Sequence, residues 1–206
     1  MSHRQSILTE EDIDDFLIYL YFGKLREPLT TCLDRAYLDF SRTLHGIGQL
    51  HNRASLHKEA RDLVWTEVDK LRTNQPIIID QGSFDSWHKN SCIQLTNLYT
   101  SFGHIMYIGQ AQKWLNMTIK YIFTLGDKRL LGFNHIYHLS HVPLDTIIVD
   151  KLRKYDAPKL TKRWSRIENY DKYFSFQQWI RSRFPIAPLD VEFLLWLGKD
   201  SSKHFT

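Results

Sequence analysis

The sequence predicts an all-α fold, a compact and two-lobed arrangement of about eight helices in one domain spanning residues 1–206. Three observations carry this. Apolar residues recur at spacings of three and four along nearly the whole chain. The one β-branched run, "QPIIID", has no partner of similar character with which to pair. Glycines and capping residues divide the periodic stretches at helix-like lengths.

Taken in order, Thr9 followed by Glu11 and Asp12 reads as a capped start, and "IDDFLIYLYFG" stops at Gly23. A second helix is predicted from Thr30 to Leu44, where Leu33, Tyr37, Phe40 and Leu44 are spaced by four, three and four. A third begins near Ser55 and sets Leu56, Ala60, Leu63, Val64, Val68 and Leu71 on one face. "QPIIID" is then an extended connector. Ser83 opens a fourth helix with Trp87, Ile93, Leu95 and Leu98 on its apolar face, and Gly103 turns the chain into a fifth, "GQAQKWLNMTIKYIFTLG". A long loop with clustered histidines leads to "PLDTIIVDKLRK", and two last helices occupy "NYDKYFSFQQWIRSRF" and "PLDVEFLLWLG".

With 43% hydrophobic, 14% aromatic and 24% charged residues, the composition is globular, outside the disordered class. No apolar run reaches the ~20 residues of a membrane span, and "MSHRQSILTEED" lacks a signal-peptide core, so no membrane association and a cytoplasmic location are expected. Two cysteines, Cys32 and Cys92, are too few for a cysteine-ligated cluster. The charge is unevenly placed. Residues 151–183 hold ten Lys or Arg against Asp156, Glu168 and Asp171, while "TEEDIDD" at the other end is acidic. Such asymmetry suits either a polyanion partner or a solvated face.

Two residues carry candidate chemistry. A lysine in the first turn of a helix starting near Gly109 to Ala111 feels the positive end of the macrodipole, which disfavours its ammonium form. A neutral lysine amine is a nucleophile that forms Schiff bases with electrophilic carbon. Asp145, after Pro143 and Leu144 and before "TIIV", is placed as a helix N-cap, a fixed and ionised carboxylate. The plainer readings are a solvated helix lysine for Lys113 and an ordinary cap for Asp145.

Together, Gly109, Ala111, Lys113 and Asn116, with Asp145 and Thr146 downstream, resemble the helix-hairpin-helix DNA glycosylases. In that superfamily the hairpin enters its second helix as Gly-x-Gly-x-Lys-x-x-Asn and the acidic residue follows in a segment like Val-Asp-Thr. "AQKWLNMTIKYIFTLG" with "HVPLD" is similar to a bacterial group with an 8-oxoguanine-glycosylase-like fold, over about residues 100–155. Here Ile108 stands in place of the usual proline, Ala111 replaces the second glycine, and the lysine and aspartate are 32 residues apart, with "GDKRLLGFNHIYHLSH" as the insert between them.

The resemblance implies a helix-hairpin-helix element and double-stranded DNA as partner, with a flipped base and no cofactor. The enzyme is expected to be a monomer. Lys113 is then the amine that attacks the sugar C1′, and Asp145 activates it or stabilises the oxocarbenium-like sugar. The backbone at Gly109, Gln110, Ala111 and Gln112 is expected to grip a phosphate, with Lys151, Arg153 and Lys154 holding others.

An extruded base needs aromatic or apolar faces to hold it. Phe84, Trp87, His88, Trp114 and His141 are candidates, with core packing as the alternative for each. His135, His138 and His141 at intervals of three, and His88 with Cys92, raise a metal site; neither an H-E-x-x-H pattern nor a CxxC is present, and none is expected. The rival to the enzyme is a non-catalytic helical module that binds nucleic acid or protein.

Overall fold

In the computed structural model, which describes residues 7–75, 77–199 and 205, the fold is all-helical, and the described residues contain no strand. Eight α-helices follow in the predicted order: α1 (Glu10–Phe22), α2 (Pro28–Phe40), α3 (Arg53–Arg72), α4 (Gln81–Ser101), α5 (Ile108–Leu125), α6 (Thr146–Leu152), α7 (Tyr170–Arg183) and α8 (Pro188–Trp196). Among the described residues no helix is long and apolar enough to cross a membrane.

Helix ends differ from expectation where a cap outweighs the apolar spacing. Pro28 sets φ for the first residue of α2, two residues ahead of Thr30. The helix then tightens to a 3₁₀ turn at Ser41–Thr43, which leaves Leu44 beyond it but still buried. Ser83 does not open α4. Asp80 is its N-cap, accepting from Ser83 N at 2.7 Å, while Ser83 Oγ accepts from Asp80 N at 3.1 Å. In the connector before it Ile78 is buried and Ile77 and Ile79 are exposed.

The core is organised around α5. Fifteen of its residues are buried, on every face, because α2, α3, α4 and α7 all pack against it. A helix surrounded in this way is normally apolar throughout. This one carries Gln110, Gln112, Lys113, Asn116 and Thr118 in buried positions, and each must find an internal partner or cost the desolvation of its polar group. Those partners build the candidate site.

A short 3₁₀ turn at Trp164–Arg166 crosses the start of α5. Gly109 N donates to Ile167 O at 3.1 Å. A Cβ built on Gly109 would lie 1.8 Å from the Trp164 carbonyl oxygen and 2.9 Å from its carbonyl carbon. Close approach of a second backbone explains this glycine, and its φ is not in the left-handed region. The turn glycine Gly103, at φ 79°, is the opposite case, with open space where a Cβ would stand.

Candidate functional site

Lys113 and Asp145, on separate helices, meet. Lys113 Nζ donates to Asp145 Oδ2 at 2.6 Å, and Asp145 Oδ1 accepts the N-capping bond from Ile148 N at 2.8 Å. The side chains are 5% and 15% exposed, so the pair is nearly dry. Lys113 is the sixth residue of α5, which starts at Ile108. It therefore lies in the second turn, past the region where the helix dipole acts strongly, and its neighbour is a carboxylate.

What brings Asp145 to Lys113 is a pair of buried glutamines. Gln112, fully buried, donates to Leu144 O at 2.9 Å and accepts from Leu144 N at 3.2 Å. Gln177 does the same for Val142, donating to its carbonyl at 2.9 Å and accepting from its N–H at 3.0 Å. Alternate residues of the "HVPLD" segment are thus held by side-chain amides as a neighbouring strand would hold them. The segment has no regular structure of its own, and these four bonds satisfy backbone groups that burial would otherwise orphan. Gln112→Ala removes two of them while leaving the Leu144 N–H and C=O buried. Chemical denaturation should show a loss of about 2–4 kcal/mol.

His141 fixes the start of that segment. Its Nε2 lies 2.7 Å from Asp85 Oδ1 and its Nδ1 2.8 Å from the Tyr173 hydroxyl. Asp85 is gripped bidentately by Arg181 at 2.9 and 2.7 Å, and Asn116 Nδ2 donates to the same Tyr173 hydroxyl at 2.8 Å. Burial pushes the Asp85 carboxyl up, yet bonds from His141 and Arg181 more than offset it and hold the group well below the usual carboxylate range. Burial pushes His141 the other way, from 6.5 down to about 4, against the pull of Asp85. His88, tilted against it with ring centroids 4.5 Å apart, is also driven down by burial and by His141.

The sign of the pH effect follows. Folded His141 is neutral, and the unfolded chain takes up a proton that the folded one refuses between pH 6.5 and about 4. The stability this provides is fully present above that window and is lost as pH falls through it, by about 2 kcal/mol between pH 6.5 and 5. Urea midpoints measured across that range should fall with acidity, and His141→Gln should flatten the slope.

A second buried pair stands on the same side of α5. Lys120, two turns beyond Lys113, donates to Glu192 Oε1 at 2.6 Å, and the Glu192 side chain is fully buried. Burial raises the Glu192 carboxyl, opposed by Lys120 first and Lys113 next. Asp85, Tyr173, Gln177, Arg181 and Glu192 were not identified from the sequence. An acid or amide inside an otherwise apolar helix face was the available signal, as at Gln177 and Glu192.

Several expected contacts are corrected. The N–H groups of Gly109, Gln110 and Ala111 donate to Ile167 O and, for the last two, Tyr107 O. All three residues are buried, Gly109 against residues 164–167, so this helix start does not present free amides to a phosphate. Gln110 accepts from Tyr107 N at 2.9 Å and donates to Thr43 O at 2.8 Å, a structural cap and clasp. Gln112 is likewise internal. The ammonium of Lys151 donates to Leu195 O and lies over the Trp196 ring. Arg153 and Lys154 are exposed, Arg153 with an ion pair to Asp150 at 2.7 Å.

The base-pocket candidates are core residues. Phe84, Trp87, His88, Trp114 and His141 are each 4% exposed or less. Trp114 Nε1 donates to Leu33 O at 3.1 Å and Trp87 Nε1 to Glu67 O at 3.2 Å, so their polar edges are already used. His135 and His138 are exposed on the 3₁₀ turn Asn134–Leu139, away from His141 in the interior. Cys92 contacts His88 Nδ1 at 3.8 Å, and both cysteines are buried free thiols. Among the described residues no three His, Cys, Asp or Glu are grouped as metal ligands.

Compared with known proteins, the chain matches no family model, no curated sequence and no solved structure.

Proposed function

We propose that this chain is a DNA glycosylase with abasic-site lyase activity, in which Lys113 is the nucleophile and Asp145 its activating carboxylate. The observation that carries the reading is the 2.6 Å contact between those two side chains, which a motif resemblance pairs across 32 residues of sequence. Asp145 takes a proton from the Lys113 ammonium. The freed amine bonds to the sugar C1′, and the C1′–base bond breaks with its electron pair leaving on the base. After the sugar ring opens to the Schiff base, loss of the C2′ proton breaks the C3′–O bond and expels the 3′ phosphate, which opens the strand. No cofactor enters these steps. An oxidised purine and a bulky modified base of foreign DNA are the two substrate classes, giving a repair or a defence role.

One observation favours a second reading. Both partners are nearly buried, and a dry ion pair joining α5 to α6 can serve as a structural staple in a helical module that binds nucleic acid or protein without chemistry. Borohydride reduction of the protein mixed with abasic-site duplex separates the two. A covalent adduct from the unmodified chain supports the lyase. Its absence removes the lyase, and a glycosylase without lyase activity then rests on base release that depends on Asp145, failing which the binding module is left. A screen of modified-base duplexes for base release then identifies the substrate.

A further inference from the structure

The 159–167 segment, "KLTKRWSRI", carries no apolar periodicity, yet it is fixed at two points. Its backbone at Trp164 lies directly on Gly109, four residues before Lys113. The Trp164 indole Nε1 donates to Thr146 Oγ1 at 3.0 Å, one residue after Asp145. Trp164 therefore spans the starts of the two helices that supply the Lys113–Asp145 pair. It is the half-buried indole here, whereas Trp87 and Trp114 are sealed in the core.

The side chains around it are cationic and outward. Lys159, Lys162, Arg163 and Arg166 are all exposed. Lys162 pairs with Glu168 at 2.8 Å, and among the described residues Lys159 and Arg163 have no carboxylate partner. The Arg166 guanidinium lies over the Tyr107 ring at 4.9 Å. Beside this segment is an open depression of about 590 Å³ lined by Arg153, Asp156, Ala157, Lys159 and Leu160. A fixed, half-buried ring on a segment that carries exposed guanidinium and ammonium groups suits the binding of single nucleotides of an unpaired strand: an indole stacks a base of any sequence and cations track the phosphates.

We propose that Trp164 is the surface on which an unpaired or extruded nucleotide of DNA stacks, with Lys159, Arg163 and Arg166 holding its flanking phosphates. The proposal rests on the DNA reading above and names its substrate contact, but it needs no reaction at Lys113. It also places the nucleotide outside the core, in contrast to a pocket built from Phe84, Trp87 or Trp114.

The test uses a single-stranded oligonucleotide containing one 2-aminopurine, with the full chain. Binding to the unaltered protein should quench 2-aminopurine emission through stacking. Trp164→Leu should weaken affinity by roughly tenfold or more and abolish the quench, since stacking contributes about 1–3 kcal/mol per base. Trp164→Phe should recover most of both, which a purely space-filling role does not require. Arg163→Ala with Arg166→Ala should lower the magnitude of the slope of log affinity against log salt by about 1.4 on this single strand. Thermal melting of each variant reports its folded fraction. Wild-type affinity and quenching in a folded Trp164→Leu overturn the proposal, as does a folded Trp164→Phe that restores neither. Failure of the unaltered chain to bind the oligonucleotide overturns this proposal, while the DNA reading falls separately, on failure to bind or to trap abasic-site duplex. Trp164-dependent binding without a borohydride adduct leaves this contact standing and removes only the lyase.

Discussion

If Lys113 is the nucleophile proposed above, replacing it with alanine is expected to abolish the borohydride-trapped adduct with abasic-site DNA, a loss of at least ~10³-fold, because the amine that forms the Schiff base is gone. The same change should destabilise the fold. It empties a buried position on α5 and leaves Asp145, only 15% exposed, with the Ile148 N–H as its remaining partner. Removing one member of a buried pair costs about 3–5 kcal/mol, and solvent at Asp145 places the expected loss near 3.

Folding loss and chemical loss are separable. Lys113→Met with Asp145→Leu replaces the pair by apolar groups of similar bulk, a change that is often neutral or stabilising for a buried pair. Loss of the Asp145 cap costs about 1 kcal/mol, and if a double variant that melts within that margin of the unaltered chain traps nothing, the adduct depended on the pair and not on the fold. Asp145→Asn keeps the shape and most of the cap, yet removes the proton acceptor. It should slow trapping by ~10²–10⁴-fold, the usual range for a general base. An adduct that persists in Lys113→Ala at wild-type yield would assign it to another lysine, and the proposed mechanism would fall.

Much of the fold was legible because helix periodicity and capping are local. Thr9 with Asp12 and Asp145 with Ile148 are caps that spacing alone locates, and the structure has both. The pairing of Lys113 with Asp145 was suggested by resemblance, and its geometry depended on "HVPLD", a segment without periodicity. Gln112 and Gln177 hold that segment by backbone bonds that any sequence would accept, so the segment itself carries no trace of them. The same reason hid the 164–167 turn: it packs through backbone on Gly109, and only the glycine records it. The backbone at Gln110 and Gln112 was expected to meet a phosphate because a helix start looks open in one dimension, and Lys151 because its α6 ammonium has no sequence neighbour to claim it, although it donates to Leu195 O. Burial on all sides of α5 reverses that expectation, and with it the role of Trp114.

Gly109→Ala is the variant in which fold and site fail together. Cβ atoms essentially never approach another heavy atom within 3.0 Å, and here the Trp164 carbonyl oxygen would stand at 1.8 Å. No rotamer relieves this clash, since both atoms belong to backbone or are fixed to it. Either α5 withdraws from its packing with α2 and α4, or residues 164–167 lift away and the bond from Gly109 N to Ile167 O is broken. Overpacking of a close contact costs ~1–3 kcal/mol, occasionally more, and the loss of that bond adds about 1, so denaturation should show roughly 2–4 kcal/mol. Gly103→Ala serves as the comparison. Its cost comes from the left-handed φ alone, about 1–2 kcal/mol, with no atom displaced. The turn is the cheaper part to move, because residues 164–167 are held by a few bonds and α5 by its whole surface. Lifting the turn carries Trp164 from Thr146. A folded Gly109→Ala should therefore lose DNA affinity to about the extent of Trp164→Leu, and the two changes combined should weaken binding little more than either alone. Hydrogen exchange should show residues 164–167 opened while α5 stays protected. A Gly109→Ala chain as stable as the original, with Trp164 still protected, would mean that the second backbone does not cross α5 at this residue.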